Sequence, residues 1–165
     1  MATAQEFVDA AHKIWKNHGI YLWGGNCEKT GNLKINTIRN MEQSAHDTAR
    51  VLRHLADCYD AGYDMSASVA CDCSGLVVGI LRELKCIKPT DDYRARDLQV
   101  KCKKVSLSDL QIGDLVFNKE TIATHVGIYT GFDMVIEAMG RDNGVVKRKL
   151  SQGKWVIGGR LPYFK

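Results

Sequence analysis

One short segment decides the fold: Asp72-Cys73-Ser74-Gly75-Leu76-Val77-Val78-Gly79-Ile80-Leu81. A small polar turn leads into an apolar run, which predicts a helix from about Cys73 to Lys85 with Asp72 as its N-cap. The positive end of the helix dipole then lies at Cys73 and favours thiolate over thiol. Because thiolate is the nucleophilic form of cysteine, Cys73 is a candidate nucleophile for attack on a carbonyl carbon.

The sequences on either side of this helix differ in hydrophobic period. Upstream, a capping box at Thr3 and Glu6 precedes an amphipathic pattern, and a second helix is expected over residues 41–57, with residues 26–39 as loop. Downstream, β-rich runs separated by Gly, Asp, Asn and Lys predict an antiparallel meander. These runs are residues 115–117, 126–129, 134–136, 144–146 and 155–157. We therefore expect an α+β domain in which a helical N-terminal half packs on a C-terminal sheet.

Length and composition indicate one soluble domain over residues 1–165. The chain is 45% apolar and 25% charged, as ordinary globular domains are. The net charge is +4, and we interpret the basic clusters 101–104 and 147–149 as solvated surface. Neither cluster is interleaved with aromatic residues, so no nucleic-acid partner is expected. The longest run without polar side chains, residues 75–81, is far too short to span a membrane.

Six cysteines raise the questions of disulfides and of zinc. The N-terminus has no signal-peptide pattern, so we expect synthesis in the cytoplasm and no disulfide framework. The pair Cys71-x-Cys73 has a single intervening residue, whereas structural zinc sites usually have two to four, and no spaced histidine pair completes it. We therefore expect no metal and no cofactor, and most cysteines as core residues.

A base and an orienting group are found in the strand-rich half. His125 stands in Thr124-His125-Val126-Gly127-Ile128-Tyr129. If the following hairpin is centred on Gly131, His125 lies directly opposite Glu137, at a Cβ separation of about 4.5–5.5 Å. That carboxylate can hold one imidazole nitrogen and leave the other facing the thiol. Each residue alone has a structural alternative: a core cysteine, a structural histidine or a solvent-facing glutamate. The combination favours cysteine-based acyl transfer.

These motifs resemble those of the NlpC-type cysteine peptidases, papain-like enzymes that cut bacterial cell-wall peptides. The resemblance rests on residues 72–77, on Ile112-Gly113-Asp114-Leu115-Val116-Phe117 and on residues 124–129, and it runs in order over about residues 5–164. It implies a papain-like fold in which the nucleophile helix packs on an antiparallel half-barrel. It also implies that Cys73 is the nucleophile, that His125 is the base and that Glu137 is the third polar residue.

The same resemblance implies substrate-binding roles for three further residues. Tyr21 is expected near the developing oxyanion, and Asp72 and Ser74 are expected to hold the amino end of the substrate. The third catalytic position in such families is most often His, Asn or Gln, so Glu137 is a departure, and Asn143 is an alternative orienting group. The segment 26–70 is longer than in a minimal member, and its helix is expected to border the cleft and to influence specificity.

The expected activity is hydrolysis of an amide bond in the peptidoglycan stem peptide, between γ-D-glutamate and the diamino acid. The alternatives are an N-acetylmuramoyl-L-alanine amidase with the same Cys/His mechanism, a non-hydrolytic acyltransferase, and an inactive wall-binding module. Because no signal peptide is visible, we expect the protein to reach the wall as a phage lysin or virion component, through a secretion apparatus, or by another non-classical export route.

Overall fold

The computed structural model describes residues 1–165 and contains five α-helices and two β-sheets. The helices are α1 (Ala4–Lys16), α2 (Ile35–Glu42), α3 (Ala45–Asp60), α4 (Cys73–Glu83) and α5 (Ala95–Lys101). The strands are β1 (Ile20–Tyr21), β2 (Asn26–Lys29), β3 (Val69–Cys71), β4 (Lys103–Val105), β5 (Leu115–Phe117), β6 (Val126–Gly131), β7 (Met134–Gly140), β8 (Gly144–Lys149) and β9 (Ile157–Arg160). The α+β prediction is confirmed. None of the helices is long and apolar enough to cross a membrane.

The larger sheet has six antiparallel strands in the order β4-β9-β5-β6-β7-β8. Strands β5 to β8 form the predicted meander. The last predicted strand, residues 155–157, is displaced: Trp155 precedes β9, which begins at Ile157 and returns beside β5. The edge strand β4 was not predicted, because Lys103 and Lys104 are exposed and give it no apolar alternation.

Helices α1 and α4 cover one face of this sheet. Phe7 of α1 and Leu76 of α4 are fully buried in one cluster with Phe117, Ile128 and Ile136 of the sheet. The predicted capping box starts α1, since the Thr3 hydroxyl accepts from the Glu6 N–H and the Glu6 carboxylate accepts from the Thr3 N–H. The nucleophile helix thus packs on the sheet as expected.

The segment 26–70 is more ordered than the sequence suggested. Residues 26–39, predicted as loop, contain β2 and the start of α2. The predicted helix over residues 41–57 is two helices, because Gln43 adopts a left-handed conformation with φ 60° and ends α2. Ser44 then caps α3 by accepting from the Asp47 N–H. These helices enclose a second small core together with β1 and β3.

The smaller sheet places the start of α4. Its strands lie in the order β1-β3-β2, and β3 leads through Asp72 directly into the helix. The Asp72 N–H donates to the Gly25 carbonyl at 3.1 Å. A Cβ atom added at Gly75 would lie 1.7 Å from that same carbonyl oxygen. The first turn of α4 therefore approaches residues 24–25 so closely that only glycine fits at position 75.

We expect Gly75→Ala to lower the free energy of unfolding by at least about 2 kcal/mol, because the clashing atom belongs to the backbone and cannot move independently. Gly31→Ala is the matched control, since a Cβ there meets nothing within 4 Å. Its effect should stay within about 0.5 kcal/mol. Urea unfolding of both variants measures the difference, and equal midpoints would contradict this account of Gly75.

Candidate active site

Cys73 is the first residue of α4, and Asp72 is its N-cap. Asp72 Oδ1 accepts from the Gly75 N–H at 2.7 Å and from the Ser74 hydroxyl at 3.2 Å, while Oδ2 accepts from the Gly24 N–H at 2.9 Å. Burial raises the pKa of the Asp72 carboxyl, and these hydrogen bonds oppose the rise. The half-buried Cys73 thiol therefore lies at a helix N-terminus that Asp72 holds both to its own first turn and to Gly24.

His125 immediately precedes β6, and its backbone is held by a residue that sequence reasoning did not identify. Asn118 Oδ1 accepts from the N–H groups of Thr124 and His125 at 3.0 and 2.9 Å. The Asn118 amide also donates to the Thr124 hydroxyl at 2.9 Å. The Cys73 thiol donates to the Thr124 carbonyl at 3.9 Å, so this short turn brings the imidazole and the thiol to the same place.

The His125 Nε2 atom lies 2.7 Å from Glu137 Oε2. The contact was predicted, but the register was wrong. The observed pairs are Ile128 with Ile136 and Tyr129 with Val135, so the strands are offset by two residues from a hairpin centred on Gly131. The turn is instead formed by residues 132–133, which both have positive φ.

A shift of two residues keeps every side chain on its original face, because the period of a strand is two. Continued by one pair, the observed register places Glu137 opposite Gly127 and diagonal to His125. Gly127 has no side chain to block that diagonal. Asn143, the alternative orienting group, lies in the turn between β7 and β8, where its N–H donates to the Gly140 carbonyl. The hydrogen-bonding partner of His125 is Glu137.

Glu137 is fully buried and lies between two cations. Its Oε2 contacts His125, and its Oε1 accepts from the Nε of Arg148. Burial alone would raise the pKa of the carboxyl, but His125 and Arg148 outweigh burial and lower it below its usual value. Arg148 was interpreted as part of a solvated basic cluster; instead only 25% of its side chain is exposed, and it also donates to the Gln152 carbonyl at 2.7 Å.

The pKa of His125 follows from its surroundings. Burial tends to lower it, whereas hydrogen bonds and charge at Cys73 and Glu137 raise it more, to about 9. The imidazole is therefore protonated at neutral pH beside a carboxylate and a thiol. A protonated imidazole beside Cys73 is the arrangement found in cysteine nucleophiles with a histidine partner.

The indole of Trp155 stacks on the His125 ring, with centroids 5.4 Å apart and planes 12° from parallel. Two glycines make room for it. A Cβ at Gly153 would lie 2.0 Å from the indole nitrogen, and a Cβ at Gly127 would lie 3.0 Å from the far edge of the ring. An aromatic face against an imidazolium is electrostatically favourable, so Trp155 both restrains the ring and stabilises its charged form.

The residues expected to bind substrate lie around the start of α4. Tyr21 in β1 pairs with Cys71, two residues before the candidate nucleophile Cys73. Burial, reinforced by negative charge at Cys73 and Asp72, raises the pKa of Tyr21, which keeps its hydroxyl a proton donor. Ser74 and Asp72 line a cavity of about 460 Å³ beside the helix start. The other lining residues are Trp23, Gly24, Asn26, Asp92, Tyr93, Arg94 and Asp97.

Asp114, the acid of the second sequence motif, has a structural position. Asp114, in the Gly113-Asp114-Leu115 motif, is buried and forms a bidentate ion pair with Arg160 at 2.8 and 2.7 Å. It locks β5 to the end of β9, away from His125. No group of three or more His, Cys, Asp or Glu side chains is arranged to hold a metal ion.

The thiol at the helix start, the histidine just before β6 and the antiparallel sheet together define a papain-like α+β domain. A sequence profile of the NlpC/P60 family matches residues 19–157, and the chain belongs to this family. A search of curated proteins finds no match.

Solved structures agree with this assignment. The NlpC/p60 domain of the peptidoglycan hydrolase SagA superposes with a TM-score of 0.63 at 18% identity, covering 97% of this chain and 100% of that domain. A P60 domain from an antigen of M. avium subspecies paratuberculosis gives 0.61 at 14% identity, covering 98% of each chain. NlpC1 from Trichomonas vaginalis gives 0.61 at 16% identity; the match covers all of this chain and 47% of that one. At these identities the likeness establishes the fold.

The raised pKa of His125 leads to a test of Glu137. We expect Glu137→Gln to lower the pKa of the imidazole from about 9, because an amide cannot stabilise the imidazolium as a carboxylate does. NMR titration of the ring measures the shift directly, and the alkaline limb of kcat/KM should move to lower pH with it.

Glu120→Gln is the control for this experiment, since Glu120 is an exposed carboxylate whose side chain contacts Lys104 and not the site. That substitution should leave the titration of His125 unchanged. An imidazole that titrates identically in the wild type and in Glu137→Gln would show that Glu137 does not set its charge.

Proposed function

We propose that the protein is a cysteine peptidase that hydrolyses the amide bond between γ-D-glutamate and the diamino acid of the peptidoglycan stem peptide. The observation that carries the proposal is that Cys73 at the start of α4 contacts Thr124, next to a histidine, His125, that is bound to the buried Glu137. The family assignment supports the substrate class, because the similar SagA domain is described as part of a peptidoglycan hydrolase.

The proposed reaction begins with attack of the Cys73 thiolate on the carbonyl carbon, which forms a C–S bond and a tetrahedral oxyanion. The first N–H groups of a helix have no intrahelical acceptor, so the Cys73 N–H is suited to stabilise this oxyanion together with the Tyr21 hydroxyl. The C–N bond then breaks as protonated His125 gives its proton to the leaving amine. The product of this half-reaction is a thioester on Cys73.

The second half-reaction releases the peptide. Neutral His125 removes a proton from water, hydroxide attacks the thioester carbonyl, and the C–S bond breaks to restore the thiolate and the imidazolium. Glu137 stabilises the imidazolium in both resting and product states without taking its proton. Arg148 keeps Glu137 ionised, and Trp155 limits rotation of the ring.

The cavity beside Cys73 supports recognition of a free amino end. Three carboxylates and one guanidinium line it, so its charge favours a cation. Two of these carboxylates already have arginine partners, since Arg94 pairs with Asp97 at 3.0 Å and Arg82 lies 4.0 Å from the exposed Asp92, whereas Asp72 has none. We propose that the amino group of a short stem peptide binds there, next to Ser74. Delivery to the wall by a phage or a secretion apparatus stays a prediction.

We expect Cys73→Ala to reduce hydrolysis of purified peptidoglycan by at least about 1000-fold, because no other group can form the thioester. Cys86→Ala is the matched control: Cys86 is another half-buried free cysteine, outside the site, and its loss should change the rate by less than about threefold. Circular dichroism verifies that both variants are folded.

Mass spectrometry of the released fragments identifies the bond. A new amino terminus on the diamino acid supports the endopeptidase, whereas a new amino terminus on L-alanine identifies the amidase. Capture of the acyl group by an added amine in preference to water identifies an acyltransferase. A folded Cys73→Ala protein that still releases peptides at the wild-type rate would refute the mechanism.

A further inference from the structure

Arg141 is a largely buried cation beside the candidate active site to which the mechanism assigns no role. It lies in the turn between β7 and β8, and only 18% of its side chain is exposed. Its Cζ atom lies 5.3 Å from the centre of the Tyr21 ring and 5.9 Å from that of the Trp23 ring. Tyr21 is the expected oxyanion donor, and Trp23 lines the cavity next to Cys73. The guanidinium therefore lies against the wall of the cleft.

The Nε side of the Arg141 guanidinium is bound by protein carboxylates, whereas the side formed by its two terminal nitrogens is free. The Nε atom donates to Glu42 Oε2, and Asp47 Oδ1 lies 3.7 Å from the same nitrogen. The other Glu42 oxygen accepts from the Trp23 N–H at 2.9 Å, which ties the pair to the cleft wall. No protein acceptor receives the four N–H groups on the two terminal nitrogens. An arginine has five donors arranged to match a carboxylate in two parallel hydrogen bonds, so this free edge is suited to an anionic group of a ligand.

The segment 26–70 makes this arrangement possible. Glu42 ends α2 and Asp47 lies in the first turn of α3, so both carboxylates that fix Arg141 belong to the segment. Arg50 of α3 forms a second bridge to the same turn through Asp142, at 2.7 Å. The segment 26–70 can therefore influence specificity, because its carboxylates hold the Arg141 cation at the cleft.

We propose that Arg141 is a specificity-determining residue that binds the free α-carboxylate of the D-glutamyl residue of the substrate. The inference rests on the function proposed above. In a γ-linked glutamyl residue three carbon atoms separate the scissile carbonyl carbon from the α-carboxylate, a reach of about 5 Å. With the scissile carbonyl near Cys73 and Tyr21, this reach is comparable to the 5.3 Å between the Arg141 Cζ atom and the centre of the Tyr21 ring. A substrate in which this carboxylate is an amide would leave the fork without its anionic partner.

The test compares two synthetic tripeptides, L-Ala-γ-D-Glu-diamino acid and its α-amidated counterpart, through kcat/KM. We expect the wild type to prefer the free carboxylate by about 10- to 100-fold, the ratio typical of losing one hydrogen-bonded charge. Arg141→Gln should lose about that factor on the free acid and change by less than about threefold on the amide. Arg141→Lys should fall between, since it retains charge without the fork.

Arg50→Gln is the matched control. It removes the same charge from the same ion-pair network, but Arg50 contacts neither Tyr21 nor Trp23, so the preference should be unchanged. Because Arg141→Gln leaves buried Glu42 without its partner, the doubly neutral Glu42→Gln/Arg141→Gln variant is measured as well. This double variant should lose the preference for the free carboxylate to the same extent and should be more stable than Arg141→Gln.

The outcomes separate the two proposals. A wild type that cleaves the two tripeptides equally, or an Arg141→Gln variant that retains the preference, would overturn the role of Arg141 and leave the peptidase intact. A variant that loses both substrates to the same extent would show that Arg141 only supports the fold. A wild type that cleaves neither tripeptide would refute the proposed peptidase, and the role of Arg141 with it.

Discussion

The structure depends on one buried carboxylate. Glu137 is inaccessible to water, and an unpaired charge in that position would cost several kcal/mol. His125 and Arg148 remove that penalty together, and neither alone occupies both oxygens. His125 immediately precedes β6, Glu137 lies in β7 and Arg148 lies in β8. The requirement to neutralise Glu137 therefore fixes the relative position of three strands and, with it, the ring that faces the thiol.

The position of the thiol is fixed by a different kind of constraint. Asp72 places both of its oxygens on backbone and side-chain donors, and Gly75 lets the first helical turn approach the carbonyl of Gly25. The Asp72 cap on Gly75 is local, whereas the contact of Asp72 with Gly24 joins residues 48 positions apart in the chain. The candidate active site therefore joins a helix whose N-cap is encoded locally to a sheet whose geometry depends on non-local charge pairing.

The difference between local and non-local contacts explains which features could be predicted from the sequence. The cap at Asp72, the capping box at Thr3 and the strands of the meander depend on neighbours in sequence, and they were predicted. The contact between His125 and Glu137 was also predicted, although the register was wrong by two residues. It survived because a two-residue shift preserves the face and because Gly127 leaves the diagonal open.

Two of the missed features depend on residues distant in sequence. Nothing near Arg148 distinguishes it from its two lysine neighbours, and only the partner Glu137 on the next strand gives it a buried role. The same holds for Trp155, whose position requires the absence of side chains at Gly127 and Gly153. Gln43 could not be identified as a helix end, because glutamine has no preference for the left-handed conformation that it adopts.

A second buried carboxylate, Glu42, is bound in the same way as Glu137. Glu42 directs one oxygen to the Trp23 N–H in the cleft wall and the other to Arg141, just as Glu137 directs one oxygen to His125 and the other to Arg148. Both arginines belong to the β7–β8 hairpin. Removing one partner of such a pair costs about 3–5 kcal/mol, so each carboxylate restrains its cation far more firmly than a surface ion pair would. The hairpin thus supplies the charge that organises the His125 ring on one side and the cleft wall on the other, and the segment 26–70 is attached to the larger sheet through the second of these pairs.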